Sequence, residues 1–153
     1  MDRKIMNKKG ITLIELLVVI SILGIILAIA IPNYNKWKIK HEREKELRQL
    51  YSIIQQYRTK AFTEKTSFTL EFPSQNKLDI KNDNGTIVSS ITFKISFDNP
   101  STITIDDRGT LSNISIKLIS DSINDSLPYN CIVSNGIRVR LGKIDGGGSC
   151  VAK

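Results

Sequence analysis

A single carboxylate lies inside a long apolar run near the start of this 153-residue chain. The run extends from Ile11 to Ile31, and Glu15 is its only charged residue. An ionised side chain is costly inside a membrane, so such residues usually face a partner of opposite charge. The position of Glu15 therefore predicts a functional contact with a cation.

A second group of charged side chains lies near the C-terminus, where alternate apolar residues of 137–141 predict a strand with one buried face. On the opposite face Arg138 and Arg140 would lie about 6.6 Å apart, and Lys143 would follow at the next bend. Arginine binds phosphate through paired hydrogen bonds, which favours a polyanion-binding site. The same pattern also fits an ordinary solvated strand face, and the residues alone leave both interpretations open.

Cys131 and Cys150 are the only cysteines in the chain. If they are bonded, they close a C-terminal loop, which the chain-entropy treatment values at about 3 kcal/mol. A disulfide in turn indicates an oxidising compartment outside the cytoplasm. Two buried free thiols are the alternative.

No pattern in the sequence points to catalysis. His41 is the only histidine, and the chain has no Cys/His cluster for zinc, no glycine-rich phosphate loop and no G-x-S-x-G element. Asp106 and Asp107 belong to a turn, where acidic residues are common. We therefore expect no catalytic residues, no metal and no cofactor.

Two helical segments are predicted to precede a β-rich domain. Residues 11–31 would span about 31 Å as a helix, which matches a bilayer core. Residues 32–62 change to an amphipathic helix, with apolar residues at helical spacing among Lys, Arg and Glu. These apolar residues are Trp37, Leu47, Leu50, Ile53, Ile54 and Tyr57.

Residues 63–153 show the two-residue alternation of half-buried strands. Asn135-Gly136 predicts a two-residue hairpin turn between strands at 131–134 and 137–141. The other predicted strands are Ser67 to Phe72, Ile91 to Phe97, Ile103 to Ile105 and Leu111 to Leu118. The predicted fold class is α+β, with one long N-terminal helix packed on an antiparallel β-sheet domain.

The apolar run has two simpler interpretations. It could be a secretory signal, because Ala28-Ile29-Ala30 imitates a cleavage site, although a run of 21 residues exceeds the usual length of the apolar region in such signals. It could also be a plain membrane anchor in which Glu15 lies near the interface and has no further role.

The string KKGITLIELLVVISILGIILAIAIPNY resembles the N-terminus of type IV pilins and of type II secretion pseudopilins. The resemblance implies that residues 1–10 are a leader, that a prepilin peptidase cuts between Gly10 and Ile11, and that Ile11 is then N-methylated. It also implies that Glu15 pairs with the amino terminus of a neighbouring subunit. The chain would first cross the inner membrane with its globular domain in the periplasm, and would then join a pilus or pseudopilus.

The stretches ISFDNPSTITIDDRGTL and CIVSNGIRVRLGK resemble minor pilins and pseudopilins of the FimT or GspH-like kind. Some FimT-type members bind DNA for natural transformation through a C-terminal Gly-Arg-x-Arg motif, which implies double-stranded DNA as a partner of this chain. Gly136, Arg138 and Arg140 can be placed on it, although Ile137 intervenes. The resemblance implies a role in pilus assembly and DNA uptake, or alternatively a pseudopilin that contacts secreted proteins.

Overall fold

The computed structural model describes residues 12–98 and 100–153, so the predicted leader, residues 1–10, and Ile11 lie outside the described residues. This part of the chain contains helix α1 (Leu13–Glu64), a short 3₁₀ helix at Asn124–Ser126 and a series of strands. The strands are β1 (Phe68–Ser74), β2 (Lys77–Asn82), β3 (Ile87–Thr92), β4 (Phe97–Asp98), β5 (Ile103–Ile105), β6 (Asn113–Leu118), β7 (Cys131–Asn135), β8 (Val139–Ile144) and β9 (Cys150–Ala152).

The chain divides into two compact units, and the first ends at Trp37. Its described part is the first portion of α1, which continues through Gly24 and Pro32 without interruption. The apolar side chains of this portion are exposed on every side of the helix. It is the one described helix that is long and apolar enough to cross a membrane.

The second unit, Lys38–Lys153, contains the rest of α1 and both sheets. Here α1 is amphipathic, as the spacing of its apolar residues predicts, and it buries one stripe of side chains. The buried residues of the stripe are Leu47, Leu50, Ile53, Ile54 and Ala61. Arg43 on the polar side donates hydrogen bonds to Asp121 (2.5 Å) and to the side-chain oxygen of Asn124 (2.9 Å).

The strands form two antiparallel sheets. The first has the order β3-β2-β1-β5, and the second has the order β4-β6-β7-β8-β9. Both sheets contribute to a single apolar core with the helix stripe, and Leu70, Ile80 and Ile116 are among its fully buried side chains. The predicted α+β architecture, a long N-terminal helix packed with antiparallel sheets, is confirmed.

The predicted strand from Ile91 to Phe97 is wrong as a single element. β3 ends at Thr92 and β4 begins at Phe97, with a bend between them. Phe93, Ile95 and Phe97 are nevertheless buried, which explains the alternation in the sequence. The backbone N–H groups of Phe93 and Phe97 donate to the carbonyls of Asn76 and Gln75 in the β1–β2 turn (2.7 and 2.8 Å). In this segment the chain passes from β3 in the first sheet to β4 in the second sheet.

Candidate functional site

The first candidate region is the start of α1 around Glu15. The Thr12 hydroxyl accepts a hydrogen bond from the Glu15 backbone N–H (3.3 Å), which caps the first turn of the helix. A carboxylate in the first turn is also favoured by the helix dipole. The Glu15 side chain is exposed, and it forms no ion pair with any of residues 12–98 and 100–153. The carboxylate is thus accessible to a group from another molecule.

The second candidate region is the hairpin formed by β7 and β8. Ser134 pairs with Val139, and the Asn135 N–H donates to the Arg138 carbonyl (3.3 Å). The central turn residues are therefore Gly136 and Ile137, one position later than the predicted Asn135-Gly136. Gly136 has φ 88°, and a two-residue hairpin with glycine at its first central position is typical of a type II′ turn.

The hairpin tip is held by a side chain that no sequence pattern indicated. Arg58 of α1 donates to the Gly109 carbonyl (2.7 Å) and to the Ile137 carbonyl (2.5 Å). The Leu111 N–H donates to the Gly136 carbonyl (2.8 Å). These bonds join the helix, the turn at Asp106–Gly109 and the hairpin tip. Arg58 lies 51 and 79 residues from its partners, so no local pattern could have identified it.

Arg138 and Arg140 follow the turn and are both exposed, as predicted. Asn135 and Val133 lie opposite them on β7, so the four side chains share one face of the second sheet. We call this face, away from the core, the outer face. It carries an open groove of about 430 Å³, lined by Val133, Asn135, Ile137, Arg138, Arg140, Cys150 and Ala152.

Lys143 does not join the two arginines, which corrects the prediction that three cations converge. The predicted bend is absent because β8 continues to Ile144, and Lys143 pairs with Val151 inside it. Successive residues of a strand alternate between faces, so Lys143 shares the face of Val139 and not that of Arg140. Two cations remain on the groove side of this strand.

Cys131 and Cys150 are bonded, as the sequence analysis expected, with their Cα atoms 6.0 Å apart. They belong to β7 and β9, and β8 runs between these strands. Gly142 of β8 lies directly opposite Cys131. A Cβ atom at Gly142 would lie 2.5 Å from the Val151 carbonyl oxygen and 3.0 Å from the Cys150 sulfur. The missing side chain at this position makes the crossing possible.

Two aspartates stabilise the loops around these elements. Hydrogen bonds from the Thr110 hydroxyl and N–H (2.7 and 2.8 Å) hold the pKa of Asp106 below its ordinary value of 3.8. A hydrogen bond from the Asn124 N–H (2.6 Å) lowers the pKa of Asp121 most strongly. The Arg43 guanidinium lowers this pKa further through its hydrogen bond and its charge. Partial desolvation opposes both shifts, and the hydrogen bonds outweigh it.

None of the described residues forms a cluster of three or more His, Cys, Asp or Glu side chains that could hold a metal ion. The groups gathered at the hairpin are guanidinium, amide and apolar groups. Such groups can bind an anion and an apolar surface.

Comparison with known proteins gives one match. Residues 5–31 match the family model described as the prokaryotic N-terminal methylation motif, and this segment includes Gly10, Ile11 and Glu15. No curated protein and no solved structure matches the chain. The motif implies processing by a prepilin peptidase and assembly with other pilin subunits, and the exposed apolar helix is consistent with membrane anchoring. The motif and the α+β architecture together support a type IV pilin-like or pseudopilin protein.

Proposed function

We propose that this chain is a minor-pilin-like subunit of a type IV pilus that contributes to assembly and binds double-stranded DNA during uptake. The observation that carries the assembly role is the first portion of α1. Its apolar side chains are exposed on all sides, and its N-terminal end lies within the methylation motif. Such a helix has to be covered by lipid before assembly and by other helices afterwards.

Processing is the first test of this proposal. Mass spectrometry of the mature protein should find an N-methylated Ile11 at the amino terminus, because the resemblance to type IV pilins implies a cut after Gly10. Replacing Gly10 with a bulky residue should leave the precursor uncut in the membrane. A mature terminus at Ile31, after Ala30, would instead identify an ordinary secretory signal and exclude filament assembly through this helix.

DNA binding is supported by Arg138 and Arg140, which are exposed on a hairpin that Arg58 holds in place. Two phosphate contacts on duplex DNA correspond to a log-log salt slope of about −1.8. Binding should therefore be weak, independent of sequence and sensitive to salt. The affinity of the full chain in neutral detergent can be measured by fluorescence anisotropy over a range of salt concentrations.

The variant Arg138→Ala/Arg140→Ala should lose most of the DNA affinity without unfolding, because both side chains face solvent. Lys143→Ala/Lys153→Ala is the matched control. It removes the same charge from β8 and from the residue that follows β9, at positions that alternate to the opposite face. Equal losses in the two double variants would show that net charge alone determines binding.

The second candidate is a pseudopilin of a type II secretion system that contacts secreted proteins. The methylation motif favours it equally, because pilins and pseudopilins share such an N-terminus. If the full chain binds no DNA at low salt but co-purifies with a secreted protein, this candidate replaces the pilus proposal.

A further inference from the structure

The groove on the outer face combines two kinds of surface. Arg138 and Arg140 supply guanidinium groups along one strand, while Val133, Ala152 and the disulfide sulfur of Cys150 supply an apolar floor. Its volume of about 430 Å³ is open to solvent. A ligand that contacts both the guanidinium groups and the apolar floor must carry negative charge and, a short distance away, a flat apolar surface.

A nucleotide has both properties, but only when its base is unpaired. In a duplex the faces of the bases are stacked on each other, so a protein surface meets mainly phosphates and the edges of the bases in the grooves. In a single strand the bases can turn outward, and they stack on apolar or guanidinium surfaces while the phosphates contact cations. The apolar floor would be used only by the second kind of ligand.

We propose that this groove binds an unpaired nucleotide segment, with the phosphates on Arg138 and Arg140 and a base or sugar on the floor formed by Val133, Cys150 and Ala152. This inference rests on the proposed DNA binding and extends it, because it specifies the strand state of the DNA that the site prefers. Single-stranded ends or frayed positions of a duplex would then be the preferred ligands.

The surroundings of the groove keep its shape fixed before a ligand arrives. Arg58 and Leu111 hold the hairpin tip through the carbonyls of Ile137 and Gly136. The Cys131–Cys150 bond ties the strands on either side of β8. A site that is already ordered loses less conformational entropy on binding.

Ala152→Gln in the full chain, kept in neutral detergent, tests the floor because it fills the groove without changing charge. Val151→Gln is the control, since Val151 is the adjacent residue of the same edge strand, is 52% exposed and lies on the opposite face. Anisotropy titrations would use oligothymidylate, a duplex of the same length and inorganic polyphosphate. Thermal unfolding would verify that both variants are folded.

We expect the parent to bind oligothymidylate more tightly than the duplex, and Ala152→Gln to lower that affinity about tenfold, as the loss of one stacked base does. Val151→Gln should leave the affinity unchanged, and polyphosphate should bind both variants as it binds the parent.

Equal binding of single strand and duplex, with equal affinities in the two variants, would overturn the groove inference and leave DNA binding by the arginines intact. Polyphosphate that competes as well as oligothymidylate, charge for charge, would also overturn it, because the site would then recognise phosphate alone. Failure of the parent to bind either form of DNA would remove the DNA role itself.

Discussion

Helix α1 has two portions of opposite character. Up to Trp37 its apolar side chains are exposed, and Leu23 retains 51% of its accessible surface. From Lys38 onward one stripe of apolar side chains is buried, and Leu50 retains 0% of its accessible surface. Apolar side chains are thus buried by the rest of the chain in the second portion. In the first portion they stay exposed and can contact other molecules. The second portion supports the fold, and the first is available for a membrane or a filament.

The largest expected effect concerns Glu15 in the first portion. Glu15→Ala should be inserted into the membrane and cleaved, because the cut site is unchanged, but it should not enter filaments. The physical reason is that a neighbour's charged amino terminus would be left unpaired among apolar helices. Immunoblotting of membrane fractions measures insertion and cleavage, and immunoblotting of sheared filaments measures incorporation.

Glu44→Ala in the second portion is the control for this experiment. Glu44 accepts bonds from Arg48 on the surface (2.7 and 3.0 Å), a pair whose loss has little effect on stability. That variant should be incorporated normally. If Glu15→Ala is also incorporated normally, the Glu15 carboxylate has no role in assembly. The two portions would then not differ in their need for a glutamate.

A smaller but still large effect is expected from leucine truncation in the two portions. Leu50→Ala should lower the free energy of unfolding of the domain by about 2–5 kcal/mol, because it leaves a cavity in a packed core. Leu23→Ala should change that free energy by less than about 0.5 kcal/mol, since its side chain is exposed. Denaturant unfolding of the full chain in detergent, followed by near-ultraviolet circular dichroism, compares them. Similar losses in both variants would contradict the distinction between the portions.

The smallest expected effect is a dependence of stability on pH through Asp121, which anchors Arg43 in the second portion. The pKa of Asp121 is lower in the folded chain than its ordinary value of 3.8, so its ionised form stabilises the fold. This contribution is fully present above 3.8 and is lost as the pH falls through the lowered folded value. The carboxylate is partly solvent-exposed, which reduces the effect to about 0.5 kcal/mol.

Asp121→Asn keeps the shape of the side chain and removes its charge. The parent should unfold at a higher denaturant concentration than this variant at neutral pH, and the difference should vanish in acid. A difference that stays constant across this range would show that the charge of Asp121 does not contribute.

Much of the fold followed from short-range patterns. The apolar run, the amphipathic segment and the alternating residues predicted a long helix and antiparallel strands, and both kinds of element are present. The prediction was wrong between Phe93 and Phe97, where alternate side chains are buried although the backbone is not part of one continuous strand. There the side chains alternate in the core, but the backbone N–H groups of Phe93 and Phe97 donate to the β1–β2 turn and not to a neighbouring strand.

The candidate site was less predictable than the fold. The exposure of Arg138 and Arg140 followed from alternation along the strand, and the bond between Cys131 and Cys150 was expected from cysteine usage. The position of Lys143 was wrong, because the face that a strand residue occupies depends on where the strand ends. A bend was predicted between Leu141 and Lys143, but the structure continues β8 through Lys143 to Ile144.

The sequence by itself determined the processing motif, the membrane-length helix and the two cysteines, because these depend on composition and spacing within short segments. Only the tertiary structure decided that Lys143 does not join the two arginines, that Arg58 holds the hairpin tip, and that Gly142 lets the disulfide cross β8. These features join residues distant in the chain. They arise only after the helix and both sheets have packed on one core, because that packing sets the distances between their side chains.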